Sequence, residues 1–264
     1  MASRFTPAVL MFCAVLVLSG CISPRLPGHR SLSTTAHGYT IVTDTVRAGK
    51  QAQRFEVRAG DCGADAVWSD CDNDRERSEF SVSEFFAPGD DRWIGFSLFL
   101  PANFPSSPTV STTLGQIHQQ GGPTGKAMGL PSFPPLLQLN ARGEAYTACV
   151  HILTGSAGNV SDRCRYIQLA KLSDMRGRWT DVLLHFDSRN EKSLIEMHIN
   201  GRRVGKLENF VNFWPRKYYV KYGIYRSFVS QNGAPMPTQT AWFDEVRIGH
   251  TRASVEVDPV EPVD

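Results

Sequence analysis

Apolar and polar residues alternate with a period of two in short runs along most of the chain. The runs are Arg54–Arg58, Arg77–Val82, Trp93–Leu100, Thr112–His118, Leu136–Asn140, Tyr146–Leu153, Trp179–Phe186, Leu194–Asn200, Tyr218–Tyr225 and Trp242–Ile248. Successive side chains of an extended strand point to opposite faces, so this alternation predicts half-buried strands. Asn200-Gly201 separates the Ile195-Met197-Ile199 alternation from Arg203–Leu207, and tolerance of positive φ at both residues predicts a tight hairpin. No window of helical length carries a convincing apolar stripe. Many short strands punctuated by Gly and Pro predict one all-β domain over residues 46–251, a sandwich or jelly roll of two sheets.

The ends read differently. Residues 1–20 carry one charge, Arg4, and then an apolar or small run from Phe5 to Gly20 that stops at Cys21. A comfortable membrane-spanning helix needs roughly 20 apolar residues, so this segment reads as an export signal. Leu18-Ser19-Gly20-Cys21 is similar to the lipobox of bacterial lipoproteins, in which Cys21 becomes the lipidated first residue of the mature chain. Ile22, in place of Asp, resembles lipoproteins sorted to an outer membrane. Residues 21–45, rich in Pro, Ser, Thr and Gly, read as a lipidated cysteine and flexible tether, and residues 252–264 as a disordered acidic tail. The expected location is the cell envelope, held by the lipid anchor.

Charge and cysteine usage narrow the class. The 28 Lys and Arg against 26 Asp and Glu become 27 against 26 once Arg4 is removed, which argues against a general nucleic-acid binder. Acids dominate between Asp61 and Asp91, whereas Arg202, Arg203, Lys206, Arg216, Lys217, Lys221 and Arg226 accompany a single acid, Glu208. Cys62, Cys71, Cys149 and Cys164 form two sequence-local pairs, and an oxidising compartment favours Cys62–Cys71 and Cys149–Cys164 bridges, although sequence alone allows three connectivities. The close ligand spacing and His pair of a structural zinc site are missing from this pattern.

Strand parity places chemistry on faces. In Tyr218–Arg226, Val220, Tyr222 and Ile224 share an apolar face, and Tyr219, Lys221, Gly223 and Tyr225 share the other. The same rule groups Gln116 with His118, opposite Ile117, and Arg77 with Glu79, opposite Phe80 and Val82. Three strands thus each present hydrogen-bonding or proton-handling groups on one face. Here the chain resembles a family. Arg77-Ser78-Glu79, Gln116-Ile117-His118 and Tyr219-Val220-Lys221-Tyr222-Gly223-Ile224-Tyr225 are similar to the three motif strands of jelly-roll alginate lyases. Trp242-Phe243-Asp244-Glu245-Val246-Arg247-Ile248-Gly249, the Trp179 strand and the Asn200-Gly201 hairpin look closer to heparin lyase I and glucuronan lyases.

The resemblance covers about Arg54–Gly249 and implies a concanavalin-like jelly-roll polysaccharide lyase, a monomer acting on an acidic, uronate-containing chain. Elimination needs a neutralised carboxylate, a base and an acid. Arg77 and Gln116 suit the first task. Tyr225 is the expected base and acid of a syn elimination, its phenolate favoured by Lys221, and His118 is the expected base of an anti elimination. Tyr219, Trp214 and Arg226 are expected at the substrate, and Glu79 is expected to orient Arg77. His151, His185, His198 and His250 read as structural, and Trp93, Trp179 and Trp242 as core. Catalysis requires no cofactor on this reading, but the resemblance implies a structural calcium, with Glu56 and Asp244 as its matching ligands. The competing readings are a glycoside hydrolase, which needs two flanking carboxylates, and a carbohydrate-binding lipoprotein without turnover.

Overall fold

The computed structural model describes residues 25–66, 68–120, 134–156, 159–189, 192–210, 215–257 and 262–264. The export signal, Cys21, Trp214 and most of the Gln119–Pro135 loop lie outside the described residues. Fourteen strands are described: β1 (Gly28–Ser31), β2 (Tyr39–Val42), β3 (Ala52–Val57), β4 (Arg75–Phe86), β5 (Asp91–Leu100), β6 (Ser111–Gln120), β7 (Leu137–Arg142), β8 (Ala145–Ser156), β9 (Asn159–Lys171), β10 (Arg178–Asp187), β11 (Leu194–Ile199), β12 (Arg202–Glu208), β13 (Lys217–Ser227) and β14 (Gln239–Gly249). They form two seven-stranded sheets, ordered β1-β4-β13-β6-β7-β8-β9 and β12-β11-β10-β5-β14-β3-β2.

Alternation explains the sandwich. Phe55, Ile94, Phe96, Leu98, Phe186 and Phe243 of the second sheet meet Leu114, Ile117, Leu139, Tyr218, Tyr222 and Ile224 of the first in one buried core. Each large apolar side chain removed from water contributes about 1.5–3 kcal/mol. The chain passes between sheets at β1 to β2, β3 to β4, β4 to β5, β5 to β6, β9 to β10, β12 to β13 and β13 to β14, so β4, β13 and β6, distant in sequence, become adjacent in the first sheet. Asn200 (φ 48°) and Gly201 (φ 77°) form the expected tight turn between β11 and β12.

Three expectations change. Residues 28–42 are not tether, because β1 pairs with β4 and β2 with β3. Residues 252–264 are not a free tail, because Val255 and Val263 are buried and Val263 N–H donates to Glu245. Trp93, Trp179 and Trp242 lie half-buried on the outward face of the second sheet, since Ile94, Phe96, Leu98, Ala241 and Phe243 take the core parity. There Phe99 sits 5.6 Å from both Trp179 and Trp242, and Trp93 stacks on His185 at 4.3 Å. β9 also escapes the alternation rule, as an edge strand whose side chains are largely exposed and charged or polar.

Candidate active site

Antiparallel register brings the three motif segments to the outward face of the first sheet. Across β4, β13 and β6, Arg77 stands opposite Tyr225 and Tyr225 opposite Thr113, while Ser81, Lys221 and Gln116 make a second row and Tyr219 faces His118. A bulge between Tyr222 and Tyr225 sets this alignment. Gly223 occupies it at φ 126°, where a Cβ would lie 2.4 Å from the Ser78 carbonyl oxygen, so only glycine fits.

Glu79 is the hub. Its fully buried carboxylate accepts hydrogen bonds from Arg77 Nη1 (3.1 Å), Lys221 Nζ (2.6 Å) and Gln116 Nε2. Burial alone would raise its pKa, but the Lys221 and Arg77 charges and these hydrogen bonds outweigh it and hold Glu79 below the usual carboxylate range. Burial lowers the pKa of Lys221, opposed mainly by Glu79. Arg77 forks onto Asp70 through Nε and through Nη2 (2.6 Å), and Asp70 also accepts from Trp68 Nε1 at 2.9 Å. Asp70 is fully buried next to Cys71, and the Cys62–Cys71 disulfide closes its loop. The second expected bridge, Cys149–Cys164, joins β8 to β9.

The proton-handling groups flank this network. Tyr225 Oη accepts from Arg75 Nε at 3.0 Å, and the Arg77 guanidinium lies 4.4 Å from the Tyr225 ring centroid. His118 stacks on Tyr219 at 5.1 Å and directs Nδ1–H to the Gln119 carbonyl at 2.9 Å, which leaves Nε2 unprotonated when the ring is neutral. Burial and then the Lys221 charge push His118 down to about 4, so the ring is neutral at neutral pH. Burial and then the Glu79 charge push Tyr219 up to about 12, so it stays a phenol. Gln116 Oε1 is buried without a hydrogen-bond partner, an acceptor that a ligand donor would satisfy. Three cations, Arg75, Arg77 and Lys221, stand against two carboxylates, Asp70 and Glu79.

Two assigned roles and one site change. Lys221 does not serve Tyr225, because its Nζ is committed to Glu79; Arg75 and Arg77 are the cations at the phenol. Arg226 does not meet substrate. It is fully buried on the other face of β13, pairs with Glu76 at 2.5 Å and donates to the Pro237 and Arg58 carbonyls. Glu56 and Asp244 do not build a calcium site. Glu56 faces Thr240 on β14, about 13 Å of strand from Asp244. Arg54 and Arg58 occupy its carboxylate, and the backbone N–H groups of Arg47, Ala48 and Glu245 occupy that of Asp244. No group of three or more His, Cys, Asp or Glu able to hold a metal occurs among the described residues. Asp70 and Arg75 were missed. Arg75 shares the parity of Arg77 and was legible on that ground, whereas nothing in the acid-rich run before it singles out Asp70.

Fold and site together define a two-sheet β protein with cations and a proton-handling pair on the outward face of one sheet. The chain belongs to the polysaccharide lyase family, whose model matches residues 25–247. Its fold is similar to that of the endo-β-1,4-glucuronan lyase from the fungus Trichoderma reesei (TM-score 0.67, 17% identity, 92% of this chain and 96% of that one). It is also similar to family 7 alginate lyase A1-II′ in complex with product (TM-score 0.55, 18% identity, 83% and 85%) and to alginate lyase AlgAT5 (TM-score 0.51, 14% identity, 82% and 84%). No curated protein sequence matches the chain.

Proposed function

We propose that this chain is an envelope-anchored, monomeric lyase that cleaves a uronate-containing polysaccharide by β-elimination on the outward face of β4, β13 and β6. The observation that carries the reading is the Glu79-centred network of Arg77, Lys221 and Gln116, flanked by a neutral imidazole and a phenol between guanidinium groups. Its excess positive charge attracts a sugar carboxylate, and its hydrogen bonds fix the donors before the substrate arrives. Asp70 and Glu79 hold Arg77 so that reorganisation during the reaction is small.

The base removes the proton at C5, alpha to the carboxylate. That electron pair becomes the C4=C5 double bond, the C4–O bond breaks, and the leaving oxygen takes a proton. His118 Nε2, unprotonated at neutral pH, suits the first step. Tyr225 suits the last, because Arg75 and Arg77 place positive charge where its oxygen turns anionic. The two groups occupy different cross-strand rows, separated by the Lys221–Gln116 row, which favours divided labour and hence an anti elimination. Only side chains of the chain itself enter this scheme. The Leu18-Ser19-Gly20-Cys21 sequence supports lipid anchoring, and Cys21→Ser is expected to release the protein from membranes.

The experiment is to supply the purified protein with glucuronan, alginate and heparin while following ultraviolet absorbance. A lyase generates an absorbing unsaturated uronate, whereas a hydrolase creates reducing ends only. Absence of absorbing product on all three would remove the assignment for these substrates. Retention of near-normal turnover by His118→Asn, with loss in Tyr225→Phe, would replace the anti scheme by the syn one.

A further inference from the structure

The rows that carry the reacting groups do not stop at β6. One continues from Lys221 and Gln116 to Gln138 on β7, Cys149 on β8 and Tyr166 on β9. The other runs from Tyr225 and Thr113 to Asn140, Thr147 and Gln168. Their chemistry changes along the way. The catalytic strands present cations and carboxylates, but β7, β8 and β9 present amides, a hydroxyl and a phenol, and here the one carboxylate, Asp162, is taken up by His151 Nδ1 at 2.9 Å.

This arm is preorganised. His151 Nε2 meets Gln138 Oε1 at 3.1 Å, Gln138 Nε2 donates to Thr113 Oγ1 at 3.3 Å, and Thr113 Oγ1 donates to Asn140 Oδ1 at 2.7 Å. A hydrogen-bonded chain therefore reaches from His151 to the residue opposite Tyr225. The Cys149–Cys164 disulfide staples β8 to β9 beside His151. Tyr166, cross-strand from Cys149, is 67% exposed. The other exposed aromatics among the described residues, Phe85 and Phe228, carry a cation over the ring, Lys217 at 3.5 Å and Arg75 at 3.7 Å. Among the described residues no aromatic ring or cation covers Tyr166.

We propose that the outward face of β7, β8 and β9 is a distal subsite that binds a pyranose ring of the same polysaccharide through its hydroxyls and its apolar face, with Tyr166 as the stacking platform. Four strand spacings of about 4.8 Å separate β13 from β9, a span of roughly 19 Å, or several sugar rings. The subsite does not require a carboxylate on the sugar it holds. Long chains are therefore favoured over short ones, and a neutral sugar or a uronate is accepted at this position. The proposal rests on the lyase reading for the identity of the polymer, but it is testable without turnover.

The test is affinity electrophoresis of the Tyr225→Phe protein through gels containing glucuronan, alginate or heparin, compared with the same protein carrying Tyr166→Ala or Tyr166→Phe. Tyr166→Ala is expected to weaken retardation about two- to tenfold, while Tyr166→Phe keeps it. Unchanged retardation in Tyr166→Ala, equal loss in Tyr166→Phe, or no retardation of the Tyr225→Phe parent in any gel overturns the subsite. Loss of the lyase reading appears elsewhere, as failure of the wild-type protein to make unsaturated product.

Discussion

Arg77 and Arg226 are both buried guanidinium groups on adjacent strands, within one residue of each other in register, yet they occupy opposite faces of the first sheet. Arg226 takes the core side and closes its charge on Glu76 and two carbonyl groups. Arg77 takes the outward side, where Asp70 and Glu79 orient it beside Lys221, Arg75 and Tyr225. One arginine is consumed by structure, while the other belongs to a cluster with positive charge to spare. The number of cations in a segment therefore says little about a site; the face each occupies and the partners that consume it decide. The outward face of the second sheet makes the same point. Arg54 and Arg58 share Glu56, Arg189 meets Asp187, and Arg203 meets Glu196.

The largest effect is expected at the reacting groups. Tyr225→Phe is expected to lower kcat on a uronate polymer by about 10³-fold or more with the fold intact, in the range general acid-base catalysis supplies. Ultraviolet-monitored turnover together with circular dichroism checks it. The arginine pair comes next. Arg226→Met leaves Glu76 buried and unpaired and is expected to cost about 3–5 kcal/mol in denaturant unfolding, with turnover per folded molecule retained. Arg77→Met is expected to cost a similar amount and to abolish turnover as well. Equal activity in the two variants would erase the distinction drawn between them.

Smaller effects test the supports. Replacing Cys62 and Cys71 by Ser is expected to cost about 2–3 kcal/mol of stability and to reduce kcat about tenfold or more, because the loop that carries Asp70 loses its closure. The pH dependence reports on His118. Its pKa is lowered from 6.5 to about 4, so the neutral base survives until the pH falls through that value. The acid limb of kcat/KM for the free protein is accordingly expected near pH 4, and a limb near 6.5 would contradict the burial of the ring. Smallest of all, Arg189→Ala on the second sheet is expected to leave both turnover and the unfolding midpoint unchanged within error.

Much of the fold was legible because alternation records which side of a strand meets the core. The β13 and β6 motif faces follow from parity alone, as does the pairing of Arg77 with Glu79. Parity separates two faces but does not say which one is interior when both carry aromatics, so Trp93, Trp179 and Trp242 were assigned inward. Nor does it register an edge strand such as β9, where neither face is dry. Arg226 was legible as well, since it continues the parity of Val220, Tyr222 and Ile224, but the basic run around it suggested a substrate role instead.

The amino-acid order by itself marked most of the strands, favoured the two disulfide pairs and supplied the residue types that can neutralise a carboxylate and move a proton. Only the tertiary structure decided that Glu79 would bind Arg77, Lys221 and Gln116 together, that Arg75 would reach Tyr225, and that Asp70 would fix Arg77. The physical reason is that strand periodicity is local, acting over two residues. Register between β4, β6 and β13 instead depends on packing of the whole core and on the bulge at Gly223.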